Sequence, residues 1–116
     1  MDVVVVASNQ RTTAERFGAD YSPVEATDLV GAAVATLTRL PLNALRHPPE
    51  VGTSGWYIWG GEEFPDDPEF FQPLHAVHLK EYCPSMLSYL GLGPGWRVLI
   101  APDYEDVWFD ENLLAV

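Results

Sequence analysis

Positive charge is what this chain has least of. Six Lys and Arg face seventeen Asp and Glu, for a net charge of −11. A field of that sign repels nucleic acid and anionic membranes, so neither is an expected partner. Cysteine is nearly missing: Cys83 stands alone, which leaves no internal disulfide and fits a reducing cytoplasm, the expected location. No stretch approaches the ~18 consecutive apolar residues of a membrane span. The opening "MDVVVVASNQ" has an apolar run with no basic residues ahead of it. That argues against a signal peptide and for a buried first strand over Val3–Ala7.

Catalytic signatures are also scarce. No GxSxG elbow is present to activate a serine, and the glycine-rich "GLGPGW" fails as a phosphate cradle because Pro94 removes an N–H and Trp96 opens a strand. His75 and His78 are three residues apart and Cys83 follows five further on, but no second pair completes a closed zinc site. The expectation is therefore no metal and no cofactor, with those three residues in structural roles. Paired acids such as Asp66/Asp67 run together in loops, whereas hydrolytic carboxylates are set by separate elements around a cleft. The chain reads as a binding protein, not an enzyme.

Against those absences stands a 116-residue chain with 47% hydrophobic residues. Residues 1–116 form one domain on that length. "TDLVGAAVATLTRL" spaces Leu29, Val30, Ala33, Val34, Leu37 and Leu40 by threes and fours. This predicts an amphipathic helix over Thr27–Leu40, capped by Thr27 and stopped by Pro41. Residues 41–53 hold three prolines and a glycine, a connector of no defined path. Gly55–Trp59 reads as a strand, with Trp56 and Ile58 on one face and Tyr57 and Trp59 on the other. Two short helical pieces follow, His78–Tyr82 and one opened by Pro84. "GWRVLIA" and "DVWFD" predict a C-terminal antiparallel hairpin. The fold class is α+β: a small antiparallel sheet of three to five strands with two or three helices.

The charge is unevenly placed. Residues 1–49 carry five acids and four arginines, whereas residues 50–116 carry twelve acids against Lys80 and Arg97. Directly after Trp56, Tyr57 and Trp59 come Glu62, Glu63, Asp66, Asp67 and Glu69 with no base among them. A strand aromatic on both faces cannot bury both unless helices cover each side. Exposed rings beside carboxylates are what a protein-binding surface tends to contain.

"SGWYIWGGEE", "LHAVHLKEYCPSMLSYLGLGPGWRVLIAP" and "YEDVWFDENLL" resemble segments of small bacterial proteins grouped as immunity protein family 33 and its near relatives. The likeness runs from Ser54 to Leu114, with a weaker echo in the first eight residues. It implies a protein of a polymorphic-toxin system that neutralises a cognate toxin by binding. Combined with the charge, it implies a basic toxin, a nuclease being one fit, occluded by an acidic surface. The candidate binding residues are Glu62, Glu63, Asp66, Asp67, Glu69, Asp103, Glu105, Asp106, Tyr57 and Trp59. A cytoplasmic interaction or regulatory module with no toxin partner is the alternative.

Overall fold

The computed structural model describes residues 3–62 and 70–114, with side chains from Asn9 onward. Its first element is a helix, α1 (Val3–Phe17), where the valine run predicted a strand over Val3–Ala7. A uniform apolar run has no period of its own, so neighbouring residues decide its geometry. Here Gln10, Thr13, Ala14 and Phe17, spaced by three, one and three, make one inward stripe. Gly18, at φ +71, ends the helix. The Ala19 N–H reaches back to the Ala14 carbonyl at 2.8 Å, the six-to-one closure of a Schellman motif.

The predicted helix over Thr27–Leu40 does not form either. Leu29–Ala32 is strand β1, followed by a single 3-10 turn at Val34–Thr36. Burial along β1 alternates with period two, and of the helical stripe only Leu29 and Val30 lie in this strand, a stretch too short for periodicity to tell strand from helix. Asp28 is no helix residue. Its carboxylate instead accepts the Glu25 N–H at 3.0 Å in a local turn.

The remaining strands are β2 (Leu42–Arg46), β3 (Thr53–Gly60), β4 (Gln72–His75), β5 (Trp96–Ala101) and β6 (Tyr104–Phe109). Thus the stretch 41–53, read as a connector, contains β2. The expected antiparallel sheet of three to five strands is a six-stranded mixed sheet ordered β4-β1-β3-β2-β5-β6. It is mixed because β1 runs parallel to β3 while every other pairing is antiparallel. The α+β class and the C-terminal hairpin stand as expected. The two helical pieces are 3-10 segments, Ala76–Glu81 and Pro84–Tyr89, with Pro84 opening the second.

Register places Ile58, Ala44, Val98 and Val107 in one row across β3, β2, β5 and β6. Their face meets α1 and the 3-10 segments, and there the core closes over Val30, Ala32, Trp56, Ile58, Leu79 and Met86. Arg46 sits in this core at 2% exposure. Its guanidinium donates to the carbonyls of Ser54 (2.9 Å), Ser22 (2.8 Å), Leu92 (2.8 Å) and Leu90 (3.4 Å) and lies over the Trp56 ring. Burial draws its pKa down to about 10, with Asp28 pulling the other way, so it is charged at neutral pH. A buried cation is tolerated because four carbonyl dipoles replace water. Trp56 adds a further clamp, donating Nε1–H to the Leu90 carbonyl at 2.9 Å.

Candidate partner-binding face

Alternation sends the intervening residues to the opposite face: Tyr57 and Trp59 on β3, Asn43 and Leu45 on β2, Arg97 and Leu99 on β5, and Tyr104, Asp106 and Trp108 on β6. Among the described residues no α-helix lies on this side. Phe71 partly covers it, its ring edge-on to Tyr57 at 5.2 Å and to Trp59 at 6.0 Å. The 3-10 turn Glu111–Leu114 covers the lower end, where His47 Nδ1 lies 3.0 Å from the Leu113 carbonyl.

Large rings remain in solvent. Tyr57 is 38% exposed, Trp108 37% and Tyr104 53%. Trp59 differs from Tyr57, its companion on the same face, at 6% exposure; Asn43 holds its strand by donating to the carbonyls of Trp59 and Gly61. Beside Tyr57 lies a shallow cleft of about 220 Å³, lined by Leu29, Gly31, Thr53, Gly55, Phe71 and Pro73 among others. The missing side chain of Gly31 matters there, because a Cβ would fall 2.6 Å from Tyr57 Cδ1. The tyrosine ring takes the space that a side chain at position 31 would fill.

The predicted acidic residues divide three ways. Glu63, Asp66, Asp67 and Glu69 lie outside the described residues. Glu62, exposed, follows the end of β3. Register carries that end across the sheet through Gly60, Leu42, Ile100 and Glu105. Three strand spacings of ~4.8 Å therefore separate the start of the acidic run from the β5–β6 tip. Asp103, in the two-residue tip with φ +62, is exposed at this same end of the sheet.

Glu105 and Asp106, adjacent in sequence, point to opposite faces. Asp106 joins the open face between Tyr104 and Trp108. Glu105 turns to the helical side, where its Oε2 accepts from both the Tyr89 hydroxyl and Arg16 Nη2, the latter at 2.7 Å. The Tyr89 hydrogen bond is the main reason its carboxyl sits below the usual range. Burial, aided by the same carboxylate, pushes the Tyr89 hydroxyl up to about 12. Glu105 thus ties β6 to α1 and to the Pro84–Tyr89 segment.

The basic Arg97 on the open face is neutralised locally. It pairs with Asp110 at 3.2 Å and lies 5.5 Å from the Trp108 ring centre. Open-face charge is therefore left to Asp106.

Among the described residues no group of three His, Cys, Asp or Glu could hold a metal ion. His75 and His78 are exposed with ring centres 6.0 Å apart, and His75 makes no side-chain cap bond. Cys83 is buried, and burial raises its thiol to about 11. A thiol so protonated is a packing group, not a nucleophile. No helix among the described residues is long and apolar enough to cross a membrane.

No curated protein and no solved structure matches this chain. A family model does: the Imm33-like domain matches residues 9–110. The match takes in residues 9–53, which the sequence resemblance scarcely touched. Such proteins neutralise a toxin by binding it and are generally non-catalytic. With nearly its whole length matched, the chain belongs to the Imm33-like family of immunity proteins.

Proposed function

We propose that this immunity protein occludes a basic toxin, of the kind that handles nucleic acid, with the open sheet face and the acidic end of the sheet. The observation that carries the reading is the open face, where Tyr57 on β3 and, on β6, Tyr104 and Trp108 on either side of Asp106 stay in solvent. Aromatic anchors of that type dominate protein interfaces when a partner seals them from water. Carboxylates at one end of the sheet supply the field. Glu62 and Asp103 are there, and Glu63, Asp66, Asp67 and Glu69 follow Glu62 in the sequence.

A toxin that grips phosphates needs a basic cleft, and carboxylates can fill it as phosphate mimics. The summed charge of −11 raises the association rate at low salt, and desolvated charge pairs slow dissociation. The test is binding to the toxin identified by capture from the native host. Reversing Glu62, Glu63, Asp66 and Asp67 to Lys is expected to leave the fold intact, weaken binding by at least about tenfold, and flatten its salt dependence. Unchanged affinity in that variant sinks the acidic-surface mechanism.

A further inference from the structure

The sheet ends differently on its two sides. Edge strand β4 is four residues long and carries Pro73, which has no N–H to offer. Short edges and prolines are ordinary protections against unwanted strand pairing. Edge strand β6 has six residues, no proline and no lysine, and among the described residues it pairs with β5 alone.

Which of its backbone groups face outward follows from the hairpin. The two-residue tip makes Ala101 and Tyr104 a hydrogen-bonded pair, and bonded pairs then recur at every second position. The Asp110 N–H, 2.7 Å from the Gly95 carbonyl, falls on the same phase. The N–H and C=O groups of Glu105, Val107 and Phe109 therefore point away from β5. Three donors and three acceptors line an open edge.

We infer that β6 is a docking edge that takes an extended, basic segment of the toxin as a seventh strand, one that alternates Lys or Arg with apolar residues. The inference rests on the toxin-binding reading above. The alternation follows from what each face of β6 presents. Toward the open face a partner residue meets Asp106 flanked by Tyr104 and Trp108, a carboxylate between two rings that suits a cation. Toward the helical face it meets Val107 and Phe109, while Glu105 is already engaged by Tyr89 and Arg16. Backbone bonds supply affinity and the alternating side chains supply selectivity, as in strand addition generally. A second copy of the chain is the weaker occupant, because each copy brings a charge of −11.

The test is amide hydrogen exchange of the intact chain, read residue by residue by NMR, with an alternating lysine–valine peptide of about eight residues, enough to span the edge. At ten times its Kd, the peptide is expected to slow exchange at Glu105, Val107 and Phe109 about tenfold by mass action. A glutamate–valine peptide, or the basic peptide N-methylated at alternate residues, is expected to have no effect. Val107→Pro removes one outward donor without touching the bonds to β5, and is expected to abolish the slowing. If that variant fails to fold, the wild-type exchange pattern decides alone.

No slowing at these three amides, or equal slowing by the N-methylated peptide, overturns the proposal. Slowing that grows with protein concentration in the absence of peptide assigns the edge to a second copy and overturns the occupant. With the captured toxin the two readings separate. Tight binding by Val107→Pro, alongside loss in the charge-reversed variant, removes the edge and keeps the acidic surface. The opposite pattern keeps the edge and removes the acidic surface.

Discussion

The two faces of the sheet are built from the same strands yet are completed by different means. On the helical side each large polar group finds a fixed protein partner: Arg46 its four carbonyls, Trp56 the Leu90 carbonyl, Glu105 its tyrosine and arginine. On the open side Asn43 and Arg97 have partners, but ring edges meet ring faces and much of the aromatic surface goes to solvent. The first arrangement is what stability requires of buried polar atoms. The second leaves aromatic surface unsatisfied, which a folded monomer gains little from and a partner can use. The difference assigns folding to one face and recognition to the other.

The sharpest way to break that assignment is Arg46→Ala. It strips the donor from several buried carbonyls at once, each costing roughly 1–3 kcal/mol when left unpaired. The expected loss of unfolding free energy is at least ~3 kcal/mol, out of a total of about 5–15 for a domain, seen as a lower urea midpoint. Arg46→Lys keeps the charge but cannot span carbonyls from three segments, so it is expected to recover only part of the loss. A midpoint within error of wild type in the alanine variant would remove Arg46 as the centre of the folded side.

The converse change is Tyr57→Ala with Trp108→Ala. Both rings are more than a third exposed, so truncating each is expected to cost about 1–2 kcal/mol of stability. Toxin binding, measured on the folded protein, is expected to fall by at least ~2 kcal/mol, or about thirtyfold. A variant that binds normally would mean that the rings on the open face are not the anchors.

How much of this contrast the sequence disclosed depends on where the deciding contact lies. The Trp56/Tyr57 division was legible because period two is local, and so was the hairpin, although its second strand starts at Tyr104, two residues before the run "DVWFD". The β1 strand was not. Leu29, Val30, Ala33 and Val34 fit a helical stripe, yet Leu29 and Val30 lie in a strand fixed by β3 and β4, more than twenty residues away. The valine run failed in the reverse sense, since α1 owes its inward stripe to Gln10, Thr13, Ala14 and Phe17 downstream. Strand β2 hid among prolines that flank it without interrupting it. For the site, the excess of acid could be read from composition, but not the split between Glu105 and Asp106. Neighbouring carboxylates in a strand must face opposite ways, yet only the positions of Tyr89 and Arg16 show which one is spoken for.

That split allows a smaller and finer test of the two faces. Glu105→Gln keeps the shape but weakens the bonds to Tyr89 and Arg16, and the pair is partly solvated, with Arg16 55% exposed. The expected cost is therefore only ~1 kcal/mol or less. The pH dependence is more diagnostic than the size. Because the folded state holds the Glu105 carboxyl below its ordinary 4.5, the unfolded chain binds the proton first as pH falls. The stability that this group contributes is thus complete above pH ~4.5 and is lost as pH drops through the folded value. Tyr89 acts at the other limit. With its hydroxyl raised from 10 to about 12, its contribution is intact below pH ~10 and is lost as pH climbs toward 12. Glu105→Gln is expected to flatten the acid limb of the urea midpoint against pH and to shift the Tyr89 titration back toward 10, while toxin affinity at neutral pH stays within about twofold. Loss of affinity on the scale of the Tyr57/Trp108 variant would instead make Glu105 part of the recognition surface, and the two faces would no longer divide the work.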